Sequence, residues 1–393
     1  MSDNNLIGSA ESASESKDDN TKVSRRNFLG TAAAASAAAG ATALGFPAIV
    51  TSQSVISWRF QSTWPSRFLY QECAVDWTKK VEELTNGRLK ISMMSAGSVV
   101  PGLQIIDASN QGVLDGGHGL PGFWFGKNSA FGLYGAGPDF GMTGNEMLGW
   151  IEYGGGMDLY REIQQAARIN VESFLLGPVP PEPMGWFKHE IKELSDMKGL
   201  RFRTAGLAVD MFRELGLSPV QMAPADIIPA LDRGLLDAAE FASATDDRTM
   251  GFPDVAKFYI QHSYHMANNV CEVMINRRRY DALSDELKLI LKHAAHAASA
   301  DMHWKNMHRM SQDYIELQKD QGVTTYRTPQ PILDAQLQAW NAVIEKHSAE
   351  NPLFAKVVKS QMDWARRVVY WQNEVSPSKT DAYTHYFGKG PGG

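Results

Sequence analysis

Two nine-residue runs, QGVLDGGHG at 111–119 and RGLLDAAEF at 233–241, share one pattern: glycine, two apolar residues, aspartate, then small residues. Each closes a stretch of alternating strand-like and helix-like segments, and this repetition is the strongest constraint the chain places on its fold. In the first stretch VISWRFQS (55–62) reads as a strand, and Pro65 with Ser66 opens a helix whose Leu69, Cys73, Trp77, Val81 and Leu84 form one apolar stripe. Asn86-Gly87 stops that helix. RLKISMMS (88–95) is the next strand, SAGSVVPG the loop after it, and LQIIDASNQG a helix that delivers VLDGGHGL. The second stretch repeats the plan: ELSDMKGLRFRT (193–204) is a short helix entering a strand, LAVDMFREL a helix, SPVQMA a strand, and PADIIPALDRG a helix delivering LLDAAEF. Two βαβαβ units predict parallel sheets covered by helices, with ligand-accessible loops at the carboxyl ends of the strands. In both runs the glycine caps a helix and the apolar pair begins a buried strand, which requires no function. Glu240 differs, because a carboxylate where such a strand leaves its sheet points into the crevice or onto a bound cation.

Two α/β halves in one chain predict two lobes with a cleft between them. NNVCEVMIN (268–276) is the expected return strand, so two crossing segments join the lobes and act as a hinge. From about 282 onward the pattern is helical, and these long C-terminal helices are expected to brace both lobes. The divisions expected are 52–173 for the first part of lobe I, 174–262 for lobe II, 263–330 for a return to lobe I, and 331–393 for a C-terminal helical region. A formal net charge of -6 shows no basic excess, which excludes nucleic acid as a partner. Cys73 and Cys271 have no metal or redox spacing and are expected to be buried thiols.

Residues 1–51 are set apart. A Ser/Asp-rich opening leads to SRRNFLG (24–30) and then to a charge-free Ala/Gly-rich segment, which resembles a twin-arginine export signal, an address rather than an anchor. Cleavage after Ala48 or a few residues later leaves a chain starting between Ser52 and Ser57, located in the periplasm. The alternative, an uncleaved membrane helix, suits the segment's length but not its many small residues.

Several motifs taken together carry a family resemblance: WRFQSTWP (58–65), LYGAGPDFGM with NEMLGWIEYGGGMDLYREI (133–163), GPVPPEPMGWFKHEI (177–191), GLRFRTAG (199–206), LLDAAEF (235–241), DRTMGFPDVAKFY (247–259) and SYHMANNVCEVMIN (263–276). In this order the chain resembles the extracytoplasmic solute receptors of tripartite ATP-independent periplasmic (TRAP) transporters, in the branch binding 2-oxo acids and other monocarboxylates. The resemblance implies a two-lobed periplasmic binding protein of type II-like fold. It also implies a small carboxylate ligand such as pyruvate or lactate, a membrane permease as partner, and a possible homodimer built on the C-terminal helices.

It assigns residues as well. Arg203 matches the arginine that grips the ligand carboxylate, a role suited to a planar guanidinium fork. Arg201 alternates with it on the same strand face. Glu240 and Phe241 stand where relatives place a glutamate and an aromatic, commonly Trp, that hold a cation. Glu182 falls where many relatives carry glutamine and others the same Pro-Pro-Glu form. Two neighbouring glutamates repel unless a cation or a proton lies between them, so Glu240, Phe241 and Glu182 imply bound Na⁺ or Ca²⁺, with no organic cofactor. His265 matches a histidine at the cleft, and Gln61 and Trp64 are candidates for the pocket wall. Asp246 and Asp247 read better as turn or helix-cap residues than as ion ligands.

Other features favour plain structural readings. His293, His296, His303 and His308 lie in one helical pattern without supporting carboxylates. Tyr153-Gly154-Gly155-Gly156 lacks phosphate-binding spacing and is expected to give close helix packing or a bend near the cleft. The competing function is an exported enzyme acting on a small carboxylic acid. Against it, the chain has no dinucleotide fingerprint, no haem-attachment motif, no cysteine cluster and no G-x-S-x-G elbow.

Overall fold

The computed structural model describes residues 54–319 and 322–388, so the export segment lies outside the described residues. The first unit consists of β1 (Ile56–Ser62), α1 (Leu69–Leu84), β2 (Leu89–Met94), α2 (Ile105–Gln111) and β3 (Gly116–Gly119). After 3₁₀ turns come α3 (Gly144–Tyr153), α4 (Gly156–Ala166) and β4 (Val171–Leu176). The second unit follows β5 (Gly185–Phe187) and comprises β6 (Arg201–Arg203), α5 (Ala208–Glu214), β7 (Ser218–Val220), α6 (Pro224–Asp232) and β8 (Ala238–Ala239). Then come α7 (Ala244–Met250), α8 (Phe252–Val255), β9 (Phe258–Gln261), β10 (Cys271–Asn276) and α9 (Arg277–Asp281). The chain ends with α10 (Asp285–Lys319), β11 (Thr324–Arg327), α11 (Gln330–Glu350), α12 (Pro352–Val375) and α13 (Lys379–Phe387).

The repeated run folds the same way twice. Gly112 and Gly234 adopt φ of 79° and 71°, left-handed values that glycine tolerates without strain. The two apolar residues after each glycine then donate their N–H groups to one helix carbonyl, Ala108 O in the first run and Ala230 O in the second. Each aspartate bolts its strand to the unit's central strand: Asp115 Oδ2 accepts from Arg59 N at 2.8 Å and Asp237 Oδ2 from Arg201 N at 2.9 Å. In the first unit β1 pairs in parallel with β2 and β3, and in the second β6 pairs in parallel with β7 and β8. Both units therefore have the strand order 2-1-3. On α1 the expected stripe is buried at Leu69, Cys73, Trp77 and Val81, but Leu84 is 49% exposed because the helix ends there, where Asn86 and Gly87 turn left-handed.

Long-range pairing completes the two sheets, in the orders β2-β1-β3-β10-β4 and β11-β9-β5-β8-β6-β7. Each sheet borrows an antiparallel strand from later or earlier chain: β10 inserts between β3 and β4, and β5 between β8 and β9. The chain crosses between sheets at 177–184, at 262–270 and, beyond the two crossings expected, a third time between β10 and β11; the first two bond to each other through Val179 N to Asn269 O (3.0 Å) and Glu182 N to Met266 O (3.1 Å).

The expected boundaries need adjustment. β4 runs to Leu176 within the first sheet, past the expected break at 173. β11, inside the span expected to return wholly to lobe I, pairs in parallel with β9 of the second sheet. The reason is reach: the 35 residues of α10 span about 52 Å at 1.5 Å per residue, enough to pass along both lobes. α10 packs on α1 of the first lobe and α7 of the second, α11 on α5, and α12 on α3 and α4, so the helices do brace both lobes. Gly154 packs against the ring of Trp150 and, on α12, that of Trp364, so the glycine-rich stretch serves helix packing rather than the cleft. Both cysteines are buried and free, and among the described residues no helix is long and apolar enough to cross a membrane.

Candidate ligand site between the two lobes

The carboxyl ends of both duplicated units converge on one small, largely enclosed hollow. Trp64 and Tyr70, after β1, and Phe123, after β3, form its first-lobe wall. Arg203, at the end of β6, and Glu240 and Phe241, just after β8, form the opposite wall, while Glu182 and Met266 enter from the crossing segments. This is where open α/β sheets bind ligands, here built from two sheets at once.

Arg203 and Arg201 separate cleanly. Arg201 keeps a side chain 45% exposed and pairs with Asp237 at 2.7 Å on the surface. Arg203 is 2% exposed; its Nη1 donates to the carbonyl of Glu240 (2.9 Å) and to Glu240 Oε1 (3.3 Å), and its Nε and Nη2 share the carbonyl of Met222 at 3.2 Å. The guanidinium sits 5.7 Å from the centre of the Phe241 ring. A fork gripping two ligand oxygens must therefore give up part of this internal set.

Glu182 is held from behind. Its Oε1 accepts from Asn269 Nδ2 at 2.9 Å, and Asn269 Oδ1 in turn accepts from Ala136 N at 2.7 Å, which fixes the amide's orientation. Oε2 of Glu182, Oε2 of Glu240 and Nε2 of His265 are buried without a hydrogen-bond partner, and these three side chains offer ligating atoms within 4.8 Å of one another. Burial, then the Glu240 charge, raises the Glu182 carboxyl well above its usual range. Glu240 is raised by burial too, opposed first by Arg203. His265 is pushed down to about 3 by burial and by Arg203, and its Nδ1 lies 2.7 Å from Ser263 Oγ. Two buried carboxylates with spare oxygens, one guanidinium and a neutral imidazole suit a hard cation beside an anion.

Trp64 lines the hollow, with its indole N–H tied to His118 Nδ1 at 2.9 Å. Gln61 does not line it. Its Oε1 accepts from Val99 N (2.7 Å) and Val100 N (3.1 Å) and its Nε2 donates to Val100 O (2.7 Å), so it pins the loop after β2. A buried amide satisfied three times over has little left for a ligand. Asp247 accepts from the Trp186 indole at 2.9 Å, and Asp246 Oδ1 accepts from Leu69 N at 2.7 Å.

Sequence reasoning missed Tyr70, whose buried hydroxyl has no partner, and Asn269, the support of Glu182. Both lie inside the quoted motifs or next to them, without local pattern to single them out. A wider groove between α4 and α10 is open to solvent, and in it Arg161 pairs with Glu172 and His296 with Glu152. The unpartnered buried atoms make the smaller hollow the candidate site.

Residues 60–351 match the bacterial extracellular solute-binding proteins, family 7. The chain belongs to that family. It is 30% identical over 362 residues, 90% of this chain and 98% of the relative, to a monocarboxylate 2-oxoacid-binding periplasmic protein of a Nostoc strain. It also superposes on a TRAP periplasmic solute-binding protein from Colwellia psychrerythraea with bound calcium and pyruvate, at a TM-score of 0.78 and 30% identity, covering 85% of this chain and 100% of that one. The corresponding protein from Pseudoalteromonas atlantica, with bound sodium and pyruvate, gives the same TM-score, 0.78, the same identity, 30%, and the same coverages, 85% and 100%.

Proposed function

We propose that this family member is a periplasmic receptor that captures a small 2-oxo or 2-hydroxy monocarboxylate such as pyruvate or lactate between its lobes and delivers it to the membrane permease of a TRAP transporter. One observation carries the reading: a buried guanidinium faces two buried carboxylates with unpartnered oxygens at the junction of both lobes. Arg203 supplies the positive end for the ligand carboxylate, and Trp64, Phe241 and His265 shape the space for its acyl part. Glu182, Glu240 and the Phe241 backbone would hold the cation. Such an ion supplies positive charge that holds ligand oxygens between the two carboxylates.

Closing the lobes removes water from the guanidinium and strengthens its attraction for an anion. Release then requires a partner that favours the open form, a shift in population rather than a chemical step. A thermal-shift screen of small acids, followed by calorimetry, tests the reading. Pyruvate or lactate should raise Tm and bind without being consumed; product formation, or binding of larger acids only, would refute it.

A further inference from the structure

We infer that Glu182 sets the ion preference of this site, making it take Ca²⁺ in favour of Na⁺; the inference rests on the receptor reading above. Among the residues lining the hollow, Arg203 is the single cation, whereas Glu182 and Glu240 are both more than nine-tenths buried, at 4% and 0% exposure. With both carboxylates ionised around an ion, these three side chains sum to one negative charge. A bound monocarboxylate makes it two. A calcium ion leaves no uncompensated charge in this water-poor space, whereas a sodium ion leaves one unless a proton stays on one of the two carboxylates, which then no longer faces the ion as an anion. Uncompensated buried charge is strongly unfavourable, so the divalent ion is preferred.

Geometry makes Glu182 the deciding residue. It is anchored at both ends of its reach, by its backbone N–H to Met266 O at 3.1 Å and by Asn269 to its Oε1, so that Oε2 is the atom presented to the hollow. Glutamine at this position can accept the same Asn269 bond and fill the same volume, while removing one unit of charge. The oxygen set also points to calcium in preference to a softer metal, although His265 Nε2 stands within reach.

The test uses chelator-treated full-length mature protein in potassium chloride. Terbium(III) emission excited through Trp64 should appear on binding and be displaced by micromolar Ca²⁺, but not by Na⁺ at a thousandfold higher concentration. Ca²⁺ should tighten pyruvate binding at least tenfold by calorimetry, and Na⁺ by less than twofold. In Glu182→Gln, checked for an unchanged circular dichroism spectrum, the Ca²⁺ concentration needed should rise at least a hundredfold. Equal support of pyruvate binding by Na⁺ and Ca²⁺ in the unaltered protein would overturn the inference and leave the receptor reading intact. Displacement of terbium by Zn²⁺ alone would overturn it as well, by assigning His265 as a ligand. If no carboxylate binds with any ion, the receptor reading itself has failed.

Discussion

Arg203 and Arg201 show how much one residue's role depends on what surrounds it. Two arginines on one strand differ by two positions, yet one pairs with Asp237 in solvent and the other is enclosed among carbonyls, a carboxylate and an aromatic ring. Replacing Arg203 with lysine keeps the charge and loses the planar fork with its multiple donors. One charge-assisted hydrogen bond is then lost, worth about 1.5–3 kcal/mol. Calorimetry should therefore show pyruvate binding weakened by about tenfold to a hundredfold, while the same change at Arg201 should leave affinity within about twofold. Equal effects at the two positions would remove Arg203 from the site. Arg203, Glu240 and Glu182 were legible as candidates because their motifs are distinctive. Gln61 was misread because a polar residue at the end of a strand points equally well to a ligand or to a neighbouring loop, and only the folded loop at Val99 and Val100 decides.

Helix α1 illustrates the element scale. Its first residue, Leu69, has no capping side chain from its own segment; Asp246 of α7, in the second lobe, accepts its N–H instead, beside a Phe68–Phe241 ring contact at 5.4 Å. The orphan donors of a helix end are thus satisfied across the cleft, and opening the lobes must break that bond. Removing the acceptor with Asp246→Ala should cost about 1 kcal/mol of closure, typical of a lost cap, seen as about fivefold weaker pyruvate binding. Burial also raises the Asp246 carboxyl from 3.8 to about 7. A carboxyl raised by folding contributes its stability below the unfolded value and loses it as pH climbs toward the folded one. Melting curves should accordingly show Asp246→Asn, which keeps an acceptor oxygen and no charge, gaining on the unaltered protein between pH 4 and 8, by at most about 4 kcal/mol. A pH-independent difference would contradict this. The sequence pattern suggested a local turn or helix cap at Asp246, whereas the helix end it serves lies 177 residues away in the chain.

At the scale of the whole molecule, the C-terminal end stands out. All nine residues of α13 are exposed, among them Tyr386 at 76% and Phe387 at 69%, and Tyr370 and Trp371 near the end of α12 are exposed as well. An isolated helix this short is not stable in water, and these exposed rings are the surface that a second copy of the chain would cover. Light scattering should find a dimer for the mature protein and a monomer after removal of residues 377–393, with pyruvate binding retained; a full-length monomer would refute the pairing. What the linear chain determined by itself was local: hydrophobic periods, left-handed glycines and aspartate bolts recur within about forty residues, so both βαβαβ units and the duplicated run could be read directly. The tertiary structure alone decided what is distant. It set β5 between β8 and β9, carried β11 to the second lobe, and brought Asn269 of one crossing segment against Glu182 of the other. Those contacts arise from loop closure and burial over long chain separations, which leave no periodic trace in neighbouring residues.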